Sequence, residues 1–181
     1  MQHKSIAVFC GSRPGRNPQF AADTARLGTL IAENNCRLIY GGGNTGLMAE
    51  VANSVLAAGG AVTGIMPQLL IDREKQHTGL TEMLIVEDMH QRKRMLFERC
   101  DIAIILPGGF GTLDELFEML TWNQLSIHRL QVVILNSGGF FDPLIGLFQK
   151  LAEEEFLYQP LELNIRIATT PEEIFEHDGS T

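Results

Sequence analysis

Short apolar runs alternate with helix-patterned segments along the whole chain, and this alternation is the strongest constraint on its fold. The runs are continuously apolar, as in Ile102–Leu106, which is typical of strands covered on both faces of a sheet. Between them, apolar residues recur at helical spacing, as in Leu113, Leu116, Phe117 and Leu120. Strands are expected at 6–9, 37–40, 62–66, 83–86, 102–106, 131–135 and 165–168, and helices at about 20–34, 47–58, 88–100, 112–124, from 143 and briefly from 171. This order predicts an α/β fold, a Rossmann-like doubly wound parallel sheet with helices on both faces.

Length and composition limit the class of protein. With 181 residues, the chain is expected to be one Rossmann-like nucleotide-binding domain spanning 1–181. A net charge of −8 argues against general nucleic-acid or membrane binding. The chain has no apolar run near 18 residues and no charged-then-apolar leader, so we expect a cytoplasmic protein. The three cysteines lack CxxC spacing and the five histidines are scattered, so neither a disulfide framework nor a metal site is expected.

Glycine-rich turns follow three of the expected strands. They are Gly11–Ser12, Gly41–Gly46 and Gly108–Gly111. Because ligands of parallel α/β sheets bind outside the carboxyl ends of the strands, these loops are expected to converge on one ligand site.

The loop at 108–111 carries the clearest chemistry. It joins a strand to a helix, so its backbone N–H groups and the helix dipole are suited to bind an anion, and Thr112 adds a hydroxyl. Glu115 lies one turn inside the helix, where a carboxylate does not help to hold a phosphate. Its position is explained if the phosphate anchors a ligand whose sugar lies against the carboxylate. The alternative is a glycine-rich turn followed by a solvated acidic first turn.

Other nucleotide motifs fit less well. Residues 41–46 match GxGxxG, but the next strand ends in Met66-Pro67-Gln68 without the acid that would hold a ribose. The sequence has no GxxxxGK[ST] and no GxSxG, which argues against a P-loop kinase and a serine nucleophile.

Four basic residues of this acidic chain fall within eight positions, at Arg92, Lys93, Arg94 and Arg99. Arg92 and Lys93 follow a strand end and are better placed for an anion or a polar base and sugar. For Arg94 and Arg99, a solvated helix face is an equal alternative. Glu74, in the polar segment 68–82 that is expected to form a loop with a short helical piece, either approaches the ligand or is an exposed loop acid.

Two long motifs carry a family resemblance. Residues 107–115, PGGFGTLDE, resemble the PGGxGTxxE motif of the LOG ("lonely guy") family, and residues 88–93, DMHQRK, resemble its DMHxRK segment. Shorter matches run in the same order from residue 6 to about 145. Members of this family are cytokinin riboside 5′-monophosphate phosphoribohydrolases, long labelled possible lysine decarboxylases. Ala49 stands where the family usually has Gly, and Asp114 where it usually has Glu.

The resemblance implies roles for ten residues. Glu115 and Arg92 would be the catalytic pair, in one of several divisions of labour: Glu115 stabilises the sugar cation or activates water, and Arg92 keeps Glu115 ionised or helps the base to depart. The full set of implied substrate-binding residues is Glu74, Arg92, Lys93, Gly108, Gly109, Phe110, Gly111, Thr112, Glu115 and Thr121. The resemblance also implies a homodimer, for which 122–128 is a candidate contact, and no cofactor or metal.

The reaction that follows is cleavage of the N-glycosidic bond of adenosine 5′-monophosphate, plain or N6-modified. Two other functions stay open. A non-catalytic nucleotide carrier fits the same fold, because fold does not determine function. A pyridoxal-phosphate-dependent lysine decarboxylase would need a Schiff-base lysine, and of Lys4, Lys75, Lys93 and Lys150 only Lys93 is expected near the ligand.

Overall fold

One parallel sheet organises the molecule. The computed structural model describes residues 4–71, 76–158 and 165–176. Its seven strands are ordered β4-β3-β2-β1-β5-β6-β7, and all pairs are parallel. They span β1 Ser5–Phe9, β2 Arg37–Tyr40, β3 Ala61–Pro67, β4 Glu82–Val86, β5 Ile102–Ile105, β6 Gln131–Leu135 and β7 Ile165–Ala168.

Helices connect these strands. They span α1 Pro18–Glu33, α2 Gly46–Ala57, α3 Gln68–Ile71, α4 Met89–Glu98, α5 Phe110–Gln124 and α6 Asp142–Glu153. Local sequence explains their starts: Pro18 opens α1 behind the Asn17 cap, and the Asp88 carboxylate caps α4 by accepting from Gln91 N at 2.8 Å. Single 3-10 turns occupy 137–139 and 172–174. None of the described helices is both long enough and apolar enough to span a bilayer.

The sheet is covered on both faces, as the continuously apolar strands predict. On one face α1 and α2 pack through Leu27, Ile31, Val51 and Val55. On the other face the core residues contributed by α4, α5 and α6 are Leu96, Phe97, Leu116, Met119 and Phe148. Successive residues of a strand pack alternately into the two cores, so both faces of the sheet are covered by helices.

The predicted Rossmann-like fold is confirmed, with small shifts at element ends. Helix α5 begins at Phe110, two residues earlier than expected, so Gly111 and Thr112 lie in its first turn. The expected helix after Pro171 is a 3-10 turn, and the short helical piece expected in 68–82 is α3. Glu74 lies outside the described residues.

The strand order determines where a ligand is expected to bind along the edge of the sheet. Strand β1 has β2 on one side and β5 on the other, so chain connections run in opposite directions from this point. At such a switch point the loops after the two central strands separate and leave a crevice. Those loops here begin at Cys10 and at Leu106, and both contain glycine.

Candidate active site

The three glycine loops meet, as expected, and backbone hydrogen bonds join them. Gly11 N donates to Pro107 O at 3.0 Å, and Leu47 N donates to Gly11 O at 3.1 Å. A Cβ atom on Gly108 would overlap the Thr112 hydroxyl and lie 3.0 Å from Gly11 N. Glycine at 108 is therefore required for the close approach of the first and third loops.

A pocket of about 430 Å³ opens at this junction, within the usual size range of small-molecule sites. We call it the central pocket. It is lined by Val8, Phe9, Cys10, Gly11, Ser12, Gly41, Met48, Leu70, Met89, Arg92, Lys93, Gly109, Phe110, Gly111, Thr112, Asp114 and Glu115.

The N-terminus of α5 forms one wall of the central pocket. Gly109 is its N-cap and makes no side-chain capping bond, so the first N–H groups of the helix are left for a ligand. Thr112 is buried, and no described residue is hydrogen-bonded to its hydroxyl. Cβ atoms on Gly109 or Gly111 would meet open space, so these glycines give access from the pocket rather than room for packing. Phe110 is 92% exposed at the pocket rim.

Glu115 lies one turn further along α5, half-buried in the pocket wall. Burial raises the pKa of its carboxyl to about 7, because desolvation outweighs the opposing charges of Arg92 and Lys93. The neighbouring carboxylates Asp114 and Glu118 add to the rise. With described residues Glu115 makes no ion pair within 4 Å, so Arg92 acts on it across the pocket and does not clamp it.

Arg92 is buried, and backbone carbonyls hold it. Its Nε donates to Ile65 O at 3.1 Å, and its Nη2 donates to Gly41 O at 2.9 Å. The Sδ atom of Met89 lies 3.9 Å from Nη1. A Cβ atom on Gly41 would occupy the position of Nη2, so the guanidinium depends on glycine there.

Lys93 lines the same pocket but is already paired. Its Nζ lies 2.7 Å from Asp114 Oδ2 and 2.8 Å from Glu118 Oε2, which joins α4 to α5. Desolvation works against the charged amine, but the two carboxylates outweigh it and raise the pKa of Lys93. In the described structure this cation braces two helices.

Other predicted residues lie elsewhere. Thr121 is exposed on α5, is not part of the central pocket wall, and donates its hydroxyl to Phe117 O at 2.7 Å. Arg94 and Arg99 are exposed, which matches the solvated-face alternative.

Sequence reasoning missed several pocket residues. Met48, Leu70 and Met89 line it, but apolar side chains at helical positions look the same in sequence whether they face a core or a ligand. Cys10 is also in the wall, and burial raises the pKa of its thiol well above the ordinary range. Within the described ranges no group of three or more His, Cys, Asp or Glu side chains could hold a metal ion.

Comparisons with known proteins identify the family of this chain. The family model described as "Possible lysine decarboxylase" matches residues 48–177. A cytokinin riboside 5′-monophosphate phosphoribohydrolase of Rhodococcoides fascians is 43% identical over 155 residues, which are 85% of this chain and 78% of that protein. An enzyme of the same name from Arabidopsis thaliana is 42% identical over 85% of this chain and 71% of its own length.

Solved structures are more distant in sequence. A molybdenum cofactor binding protein of Rippkaea orientalis has a TM-score of 0.71 at 20% identity, covering 97% of this chain and 94% of that chain. The molybdenum cofactor carrier protein of Chlamydomonas reinhardtii has a TM-score of 0.70 at 18% identity, covering 96% of this chain and 94% of that chain. At these identities the likeness shows the fold alone.

Proposed function

The chain belongs to the LOG family of cytokinin riboside 5′-monophosphate phosphoribohydrolases, and we propose that its central pocket is the site of that hydrolysis. The reaction cleaves the N-glycosidic bond of an adenosine 5′-monophosphate and releases the free base and ribose 5-phosphate. It needs an anchor for the phosphate, a group that stabilises the sugar cation, and an activated water.

One observation carries the assignment of the site. A titratable carboxyl, Glu115, lies one helical turn beyond an uncapped helix N-terminus in the same pocket. A phosphate bound to the N–H groups of Gly109, Phe110, Gly111 and Thr112 sits at the positive end of α5. The attached ribose then lies within reach of the carboxylate.

The chemistry follows from the pKa of Glu115. A carboxyl with a pKa of about 7 exchanges its proton readily at neutral pH, which suits a general base. We propose that ionised Glu115 takes a proton from water as the water oxygen attacks C1′. The electron pair of the C1′–N bond leaves with the base, and the proton taken up by Glu115 then passes to the base nitrogen directly or through solvent. Before that, the carboxylate stabilises the oxocarbenium-like transition state.

Arg92 has N–H donors left after its bonds to Gly41 and Ile65. We propose that these donors bind the sugar or the departing base, and that the guanidinium charge favours the ionised form of Glu115. The apolar wall of Met48, Leu70 and Met89 suits an adenine-type base, with or without an apolar N6 substituent.

A chromatographic assay for free base tests the proposal. Wild type, Glu115→Gln and the matched surface variant Glu98→Gln are incubated with AMP and with N6-isopentenyl AMP. We expect base from wild type and Glu98→Gln, none from Glu115→Gln, and retained nucleotide binding by Glu115→Gln in calorimetry. The faster substrate identifies the preferred base.

Two results would contradict the proposal. Equal turnover by wild type and Glu115→Gln would remove the carboxylate from the chemistry. Binding without base release from either nucleotide would favour a carrier function. The decarboxylase alternative is disfavoured by Lys93, whose amine is held protonated by Asp114 and Glu118 and is a poor Schiff-base nucleophile.

We further propose a cytoplasmic homodimer. All three cysteines are free thiols, which suits a reducing compartment. In the segment 122–128, Trp122 packs inward, edge-to-face on Phe97 at 5.4 Å, while Leu125 and Ile127 are 59% and 61% exposed. Size-exclusion chromatography with light scattering should show a dimer for wild type and a monomer for Leu125→Asp; a monomeric wild type would contradict the proposal.

A further inference from the structure

The second glycine loop, at 41–46, accepts hydrogen bonds through its backbone carbonyl oxygens. Gly41 O accepts from Arg92 Nη2 at 2.9 Å, Gly42 O accepts from His77 N at 3.0 Å, and Gly43 O accepts from the Tyr40 hydroxyl at 3.1 Å. Gly43 also forms an antiparallel bridge with Gln76. Three consecutive carbonyls thus fix the loop, and the first of them holds the guanidinium of the proposed active site.

The His77 side chain fixes the segment that reaches the middle carbonyl. Its Nδ1 accepts from Gly79 N at 3.1 Å, so the ring proton must be on Nε2. Nε2 then donates to Asn53 Oδ1 at 2.9 Å, on helix α2. His77 is 9% exposed, and burial lowers the pKa of its ring, which favours this neutral form.

The hydrogen bonds of His77 therefore connect helix α2 to the loop that binds Arg92. Helix α2 holds the His77 ring through Asn53, the His77 backbone holds Gly42, and the adjoining Gly41 holds Arg92. Gly42 has a φ of +80°, a conformation that glycine adopts easily and that gives the loop no rigidity of its own. Its geometry must come from the groups bound to it.

We propose that His77 is a positioning residue for Arg92. It acts through the carbonyls of the second glycine loop and touches neither nucleotide nor Arg92. The measurement of base release rests on the proposed function, whereas the measurement of the Arg92 Nε–H signal does not.

Four variants test the hydrogen bonds of the two ring nitrogens of His77 separately. In His77→Asn, the side-chain oxygen replaces Nδ1 as acceptor for Gly79 N but cannot reach Asn53. In His77→Gln, the longer amide replaces Nε2 as donor to Asn53. His77→Ala loses both, and Asn53→Ala removes the acceptor on α2 without changing residue 77.

We expect kcat for base release to fall about tenfold in His77→Ala, with the KM for nucleotide within about twofold of wild type, because displacement of a catalytic group costs turnover more than binding. His77→Asn and His77→Gln should each recover part of the loss in kcat. Asn53→Ala should resemble His77→Gln least, because His77→Gln keeps the bond to residue 53 that Asn53→Ala removes. If His77→Ala does not fold, the other three variants carry the same comparison.

The second readout is the Arg92 Nε–H signal in ¹H–¹⁵N spectra, assigned by its absence from Arg92→Lys. Its bond to Ile65 O slows proton exchange in wild type, and we expect the signal to broaden in His77→Ala. An unchanged signal together with unchanged kcat would overturn the inference, and so would a loss confined to KM or to thermal stability. Absence of base release from wild type would refute the proposed function, while the Arg92 signal would still decide the role of His77.

Discussion

Substitution of Gly41 by alanine tests how the protein holds Arg92. Gly41 does not have a positive φ, so alanine fits its backbone. The added Cβ would overlap Arg92 Nη2, and the next neighbours are Arg92 Cζ at 3.3 Å and Met48 Sδ at 3.7 Å. The guanidinium is therefore the group that must move.

The magnitude follows from the contact that is lost. A hydrogen bond from a charged donor contributes about 1.5–3 kcal/mol, and if displacement of the guanidinium costs the transition state as much, kcat/KM should fall about 10- to 150-fold. The free energy of unfolding should change less, because replacing glycine stabilises by about 0.4–1 kcal/mol through the unfolded state and offsets part of the lost bond.

Steady-state base release and thermal unfolding measure the two effects on the same samples. Gly146→Ala is the matched control, since its Cβ would meet no heavy atom within 4 Å in helix α6. We expect the control to keep wild-type turnover and to gain up to about 1 kcal/mol of stability. If Gly41→Ala keeps kcat/KM within about twofold of wild type, the carbonyl contact does not position a catalytic group and the reasoning is wrong.

Four further outcomes follow from the site. Base release should rise as pH increases through about 7, where Glu115 ionises, and the active surface control Glu98→Gln should keep this dependence in a pH–rate profile; a flat wild-type profile would contradict the general-base role. The raised pKa means that the folded state holds a proton more tightly than the unfolded state, so stability falls between the ordinary pKa and about 7; Glu115→Gln should gain on the order of 2 kcal/mol in unfolding experiments at pH 8 and little at pH 4. Thr112→Val should raise KM about tenfold with kcat nearly unchanged, because only a phosphate contact is lost, and an unchanged KM would remove that contact. Lys93→Met should cost about 1–3 kcal/mol in denaturant unfolding because it leaves Glu118 without its cation, and a neutral effect would show that the brace is unimportant.

Much of the architecture could be predicted because its determinants are local. Each strand is a short apolar run, and each helix has its own apolar stripe, so the alternating order leads directly to a doubly wound sheet. The position of Glu115 in the pocket is equally local, since it depends only on one helical turn after a glycine loop. The start of α5 lies two residues before the predicted one, because Phe110 and Gly111 have no helical pattern of their own.

The roles of Arg92 and Lys93 could not be separated from sequence. The two are neighbours, but successive helix residues point about 100° apart, so packing against the sheet buries one and turns the other toward α5. The partners of Arg92 are carbonyls of Gly41 and Ile65, far away in the chain. Any residue has a carbonyl, so no residue type marks such an acceptor.

Two of the three glycine loops that line the central pocket have opposite polarity, which the glycine content alone does not reveal. The loop before α5 leaves N–H groups free and suits an anion, whereas the loop at 41–43 turns its carbonyls to a guanidinium, an amide N–H and a hydroxyl. The first glycine of the GxGxxG match at 41–46 thus makes room for the Arg92 guanidinium, which is a different use of glycine from that in a dinucleotide site. In the proposed function, neighbouring backbones of opposite sign would hold a phosphate and the Arg92 guanidinium, with Glu115 in the wall of the same pocket, where proton transfer at neutral pH is chemically useful.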